Sequence, residues 1–168
     1  MTGIRPATPD DIDMLASIHV RAWRETYPGL LPESEIAARG PEVRRRQWAG
    51  QIARGQSRIA ILPDLGFAQA GPQRDAILRA DDIPQELYAI YLLRAAQGRG
   101  FGRALLAAVT MPDAGPMSAL VLDGNAPAKA FYAATGAELW DTRKDRVGRT
   151  PIVEHAYVWH EPAALIAD

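Results

Sequence analysis

Between Glu86 and Ala108 the chain reads ELYAIYLLRAAQGRGFGRALLAA. The residues here best suited to chemistry are three alternate glycines, Gly98, Gly100 and Gly102. They follow an apolar strand candidate, Leu87 to Leu93, and run directly into an Ala/Leu helix. Glycine lets the main chain approach a ligand without a Cβ in the way. The first turn of a helix adds N–H groups with no internal partner at the positive end of the dipole. Strand, glycine turn and helix in that order present backbone amides to an anion, so a phosphate-bearing ligand is the first expectation. Taken alone, the same glycines also suit a tight turn with no ligand.

Composition narrows the other chemistries. The 168 residues contain no cysteine, which removes disulfides, thiolate metal sites and a Cys–acyl intermediate. His19, His155 and His160 show no metal-ligand spacing, so no metal is expected. The 19 basic and 20 acidic side chains nearly cancel, which argues against a general nucleic-acid or membrane-surface binder. The first residues, MTGIRPATPDD, lack the apolar centre of a signal peptide, and no segment approaches the ~18 apolar residues of a spanning helix. A soluble, cytoplasmic protein is the expectation. A dinucleotide site wants G-x-G-x-x-G, and both registers here miss the last glycine, at Arg103 or Leu105. No Gly-Lys-Ser/Thr occurs for a phosphate-binding loop of the ATPase kind.

Elements must hold these residues in place. Thr8-Pro9-Asp10-Asp11 predicts a helix start, and Ile12, Leu15, Ala16, His19, Ala22 and Trp23 recur at helical spacing to about Trp23. Pro32–Arg39 and Pro41–Arg54 read as further helices. Gly3–Pro6 suits an edge strand, and Ser57–Leu62 with Gly66–Gly71 suits an antiparallel hairpin. A polar connection from Pro72 to Gln85 leads to the strand of Glu86–Leu93. Met117–Asp123 reads as a buried strand beyond the glycine-turn helix, so these two strands flank one helix and should run parallel. A helix over Ala126–Thr135 follows, then strands at Glu138–Asp141 and Ile152–Trp159 around a charged loop. Nothing divides residues 1–168, which predicts a single domain.

With that order in place, the sequence resembles the Gcn5-related N-acetyltransferase (GNAT) superfamily along essentially its whole length. Gln97-Gly98-Arg99-Gly100-Phe101-Gly102 matches the acetyl-CoA loop, Gln/Arg-x-x-Gly-x-Gly/Ala, after a strand and before a helix. Asn125-Ala126-Pro127-Ala128-Lys129-Ala130-Phe131-Tyr132, followed by Gly136, resembles the Asn-x-x-Ala-x-x-Phe-Tyr-x-x-x-Gly element. Val20 to Pro32 resembles the start of many bacterial members.

The resemblance implies an α/β (α+β) fold: a mixed, mostly antiparallel sheet of six or seven strands flanked by helices, with a splayed parallel pair forming the acyl-CoA cleft. It implies an acetyl-CoA-dependent N-acetyltransferase acting on an amine, a small molecule or a peptide N-terminus. Gly98 through Arg103 would hold the pyrophosphate, with charge from Arg99 and Arg103. The pantetheine arm would lie along Tyr91, Leu92 and Leu93, and Asn125 would face it. Tyr132 matches the tyrosine that protonates the leaving thiolate in many members, an unperturbed phenol near pKa ~10 being a credible donor. A backbone N–H near Leu92 or Leu93 would stabilise the oxyanion. Glu86, eleven residues before Gln97, has the offset of the catalytic glutamate of the histone-acetylating branch. Trp23 and Tyr27 would border the acceptor pocket.

Each residue also has a plainer reading. Tyr132 could be a core aromatic beside Phe131, Glu86 a solvated strand start, and Trp23 with Tyr27 ordinary packing. His155, Tyr157 and Trp159 alternate on one strand face, which suits packing or the interface of a homodimer. An acyl-CoA-binding sensor without transfer is the functional alternative. Arg143, Arg146 and Arg149 point to an anionic acceptor, and Asp75, Asp81 and Asp82 to a cationic one, so neither is chosen.

Overall fold

Apolar side chains that alternate along neighbouring strands sort themselves onto two faces of a sheet. Here Ala60, Leu62, Ala68 and Ala70 pack on one face with Leu105, Leu106 and Val109, while Ile61 and Phe67 pack on the other with Leu15, Ile18 and Trp48. The computed structural model describes residues 3–167. Its strands are Arg5–Pro6 (β1), Arg58–Leu62 (β2), Gly66–Pro72 (β3), Gln85–Leu92 (β4), Met117–Leu122 (β5), Glu138–Val147 (β6) and Thr150–Trp159 (β7). They form one sheet in the order β1-β2-β3-β4-β5-β7-β6. Every neighbouring pair is antiparallel except β4 and β5.

The helices are Ile12–Thr26 (α1), Glu33–Ala37 (α2), Pro41–Arg54 (α3), Ala76–Ala80 (α4), Phe101–Val109 (α5) and Ala126–Ala134 (α6). α1 and α3 cover one face of the sheet through Leu15, Ile18 and Trp48, and α5 covers the other. A turn of 3-10 helix, Pro9–Asp11, introduces α1. Buried Asp11 accepts hydrogen bonds from the Thr8 N–H at 2.8 Å and from both Arg5 terminal nitrogens at 2.7 Å. These bonds, the Arg5 one above all, hold the Asp11 carboxyl far below the usual carboxylate range.

Two segments differ from the sequence expectations. The polar connection after β3 contains α4, whose N-cap Asp75 accepts from Ile77 and Leu78 N–H at 3.0 Å and whose Leu78 is buried with Ile83, Ala156 and Val158. The charged segment Thr142–Val147 is strand, not loop. β6 and β7 are ten-residue partners that turn at Gly148, and they show little apolar alternation because most of β6 faces solvent. Charged pairs hold this ribbon: Arg143 lies 2.9 Å from Asp75 and 3.4 Å from Glu154. His155, Tyr157 and Trp159 take the packing role of the two expected for them. Trp159 is 2 % exposed and packs edge-on against Tyr132, while His155 contacts Asp123 at 2.6 Å and Thr142 at 2.8 Å.

Candidate active site

The parallel pair opens because β4 carries one extra residue. β4 pairs with β5 only at Gln85, Glu86 and Leu87. Against β3 the register slips there: Ala70 faces Leu87 and Gln69 faces Ala89, which leaves Tyr88 as a bulge. Beyond it β4 keeps β3 as partner and leaves β5. Since Leu93 N–H donates to Leu65 O at 2.8 Å, alternation turns the main-chain groups of Ile90 and Leu92 away from β3 and into the gap. The Leu92 carbonyl accepts from Gln97 Nε2 at 2.9 Å, which ties the glycine turn to the strand end.

In that turn Gly98 and Gly100 have φ of +73° and +82°, a region an L side chain enters only with strain. The amides of Ala96 and Gln97 are donated back to Leu93 and Arg94, and the bonding of α5 resumes with Ala104 N–H to Gly100 O. The intervening N–H groups lie at the first turn of a nine-residue helix, the arrangement that favours an anion. At Gly102 a Cβ would stand 3.1 Å from the Phe131 ring, so α5 and α6 meet closely because that residue is glycine.

The opposite wall is α6. Asn125 is its N-cap, with Oδ1 accepting from Ala128 N–H at 3.3 Å. Tyr132 is 6 % exposed, set among Phe131, Tyr157 and Trp159. Burial, and then proximity to Tyr91, push its phenol well above the ordinary value, so it is not the unperturbed group expected from sequence. The C-terminal end of α1 closes the third side: the Glu25 carboxylate accepts the Arg94 N–H at 2.8 Å, and the Arg94 Nη2 donates back to Glu25 O at 3.1 Å.

These walls enclose a cleft of about 660 Å³. Tyr91, Leu92, Gln97, Gly98, Gly100, Gly102, Arg103, Asn125 and Tyr132 line it, as do Glu25, Leu30, Ile90, Arg94 and Phe131. The second set was not singled out from sequence as site residues; the apolar strand, the Phe-Tyr pair and the Val20–Pro32 segment pointed near it. A shallower groove between α1 and α3, bordered by Asp13, Arg21 and Arg45, lies apart from these groups.

Several expected site residues are engaged by other groups of the protein. Glu86 is buried and does not line the cleft: its carboxylate accepts from Arg74 N–H, Nε and Nη2 at 3.1, 3.1 and 2.7 Å. That pairing, and the stacking of Arg74 on Tyr88 at 3.8 Å, engage the oxygens that a base needs free. Leu93 gives its N–H to Leu65 and its side chain to the core, so of the two amides named only that of Leu92 is turned toward the cleft. Arg103 donates to Ala134 O at 3.1 Å and bridges the walls, whereas the Arg99 guanidinium lies over Phe101 at 5.1 Å. Trp23 and Tyr27 stand behind Tyr91: the Tyr27 and Tyr91 hydroxyls are 2.7 Å apart, and the Trp23 and Tyr27 rings are 4.5 Å apart.

Residues 20–137 match the Acetyltransferase (GNAT) family. The chain belongs to that family. It is thereby an acetyltransferase with a mixed sheet, mostly antiparallel, parted at one parallel pair. It is 29 % identical to the uncharacterised N-acetyltransferase YuaI of Bacillus subtilis, over 98 % of this chain and 96 % of that one. In fold it is like the PaiA N-acetyltransferase of Thermoplasma acidophilum, solved in complex with coenzyme A, with a TM-score of 0.69 and 19 % identity over 90 % of this chain and 96 % of that one. It is also like YncA of Salmonella typhimurium, solved with its cofactor acetyl-CoA, with a TM-score of 0.63 and 18 % identity over 94 % and 92 %. Among the described residues of this acetyltransferase no helix is long and apolar enough to cross a membrane, and no cluster of metal-binding side chains occurs.

Proposed function

We propose that this acetyltransferase moves an acetyl group from acetyl-CoA directly to a primary amine, with both substrates bound together in the parted β4–β5 cleft. The absence of cysteine fits direct attack, since no thiol is at hand to carry the acyl group. The observation that carries the reading is the bulge at Tyr88, which frees the Ile90 and Leu92 main-chain groups on one wall opposite Tyr132 on the other.

Those residues suit the ligand. The N–H groups of Gly98 to Arg103 would hold the pyrophosphate at the start of α5, where glycine leaves the approach clear. The outward N–H and C=O of Ile90 would pair with the amides of the pantetheine arm as an added strand does. Acetyl-CoA supplies the activated thioester; the C–N bond forms on attack at its carbonyl, and the C–S bond breaks as the resulting oxyanion collapses.

Leu92 N–H would donate to the oxyanion, Tyr132 Oη would give its proton to the departing thiolate, and the proton that the amine nitrogen sheds as the amide forms would pass to solvent, from which Tyr132 is reprotonated. The raised phenol stays protonated throughout the neutral range, and a thiolate formed in the same dry cleft is also made more basic by desolvation. With Glu86 engaged by Arg74, the amine would lose its proton to solvent before attack rather than to that carboxylate.

Release of CoA thiol from acetyl-CoA in the presence of a panel of primary amines tests the proposal. Steady turnover supports it; tight CoA binding without turnover on any amine supports a sensor instead.

A further inference from the structure

Gly71, Arg74, Glu86 and Tyr88 meet where β4 and β5 part, and none of them lines the cleft. The bulge residue Tyr88 lies with its ring 3.8 Å from the Arg74 guanidinium and donates its hydroxyl to Pro72 O at 2.6 Å. The same guanidinium holds both oxygens of buried Glu86, from Nε at 3.1 Å and from Nη2 at 2.7 Å. One side chain thus grips the strand at the bulge residue and two residues before it, by its face and by its edge.

Two further features seat this clamp. Gly71 pairs with Glu86 across β3 and β4, and a Cβ there would stand 2.6 Å from Tyr88 Oη and 3.0 Å from Cζ. The Tyr88 ring folds back over β3 because that residue is glycine. Gln73, next to Arg74, is 3 % exposed, and its Nε2 lies 3.2, 3.1 and 2.8 Å from Ile83 O, Gln85 O and Ser118 Oγ. Ser118 is the β5 partner of Glu86, so Arg74 leaves the chain beside a junction tied to both parted strands.

The position of the extra residue decides which main-chain groups reach the cleft. Alternation reverses at a bulge, so an extra residue placed beyond Ile90 would turn the Ile90 N–H and C=O back toward β3. Resting on the N-acetyltransferase reading, we infer that Arg74 is a positioning residue for the transfer. By holding Glu86 and Tyr88 together it keeps the bulge at position 88, and so keeps the Ile90 and Leu92 groups turned toward acetyl-CoA. Arg74 acts through the strand and touches neither substrate. Support of this kind from outside a site fixes the geometry of the groups that bind and react.

Amide resonances of the ligand-free protein give the direct test. Those of Arg74→Met should differ from wild type at Ile90 and Leu92 as well as at the clamp, with Gly98, Gly100 and Gly102 unmoved. Changes confined to residues 71–74 and 86–88, or spread over the whole sheet, overturn the inference. Binding gives a second readout. The variant should bind CoA about tenfold more weakly, but adenosine 3′,5′-bisphosphate, which has no pantetheine arm, within about threefold of wild type. Its kcat should fall about tenfold or more, with Arg74→Lys, which keeps the charge but not the fork, in between. Gly71→Ala, which displaces the Tyr88 ring with Arg74 in place, should reproduce the pattern and carries the test if Arg74→Met does not fold. Equal weakening of both ligands, or of neither, overturns the inference. Failure of the wild-type protein to bind CoA strikes the acetyltransferase reading instead; the ligand-free amide resonances then decide the clamp by the same outcomes.

Discussion

Leu87 and Ala89 lie two residues apart on one strand yet pack on opposite faces of the sheet, Leu87 with Leu105 and Ala89 with Phe67. A regular strand puts such residues on the same face. The extra residue, Tyr88, absorbs the change, and pairing with β5 stops at Leu87, immediately before it. One inserted residue thus keeps a continuous core on both faces while parting two strands to admit a ligand.

Gly100→Val should weaken CoA binding without unfolding the protein. At φ +82° a β-branched residue costs about 1–2 kcal/mol, and its side chain enters the space before the α5 amides. A loss of about tenfold in affinity is expected by calorimetric titration. Unchanged affinity would remove the turn from the anion site.

Tyr132→Phe keeps the ring against Trp159 and removes the proton. Turnover should fall about 100-fold or more while CoA affinity stays within about threefold. Because burial raises the wild-type phenol, no alkaline loss of rate from Tyr132 is expected below pH ~10. A basic limb near neutrality that vanishes in the Phe variant would contradict this.

Glu86→Gln separates a structural role from a basic one. Arg74 is 56 % exposed, so screening discounts the pair, and a stability loss of about 1–2 kcal/mol is expected in urea. The dependence of rate on pH should keep its acid limb, set by the acceptor amine. Loss of that limb would return Glu86 to the role of base.

Asp11→Asn should cost about 1–3 kcal/mol, since the buried carboxylate meets both Arg5 and the Thr8 N–H. The folded-state pKa is depressed, so its stabilisation is fully present above the unfolded value near ~3.9 and is lost as pH falls below it. Urea midpoints of wild type and variant should therefore converge toward pH ~2. A constant gap from pH 7 to that point would show that the effect is not ionic.

The glycine turn, the strand before it and the Asn…Phe-Tyr helix were legible because each depends on local rules: φ at Gly98 and Gly100, a cap at Asn125, an apolar run at Leu87–Leu92. The engagement of Glu86 was not, because Arg74 lies in the connection after β3 and sequence spacing carries no record of which loop residue returns to which strand. The second half of β6, Thr142–Val147, was taken for a loop since its exposed faces leave charge where alternation is sought. Arg44 lies in a run of three arginines, Arg44-Arg45-Arg46, that local rules place at a solvated helix face; its burial depends on α3 seating Trp48 against Phe67, a tertiary fact. The third wall, Glu25 against Arg94, joins residues 69 positions apart and had no local signal.

Amide chemical shifts during a CoA titration test the cleft most directly. The account predicts the largest changes at Gly98, Gly100 and Gly102, with further ones at Ile90, Leu92 and the N-terminal turn of α6. No binding at millimolar CoA, or changes centred on the α1–α3 groove near Asp13 and Arg45, would contradict it.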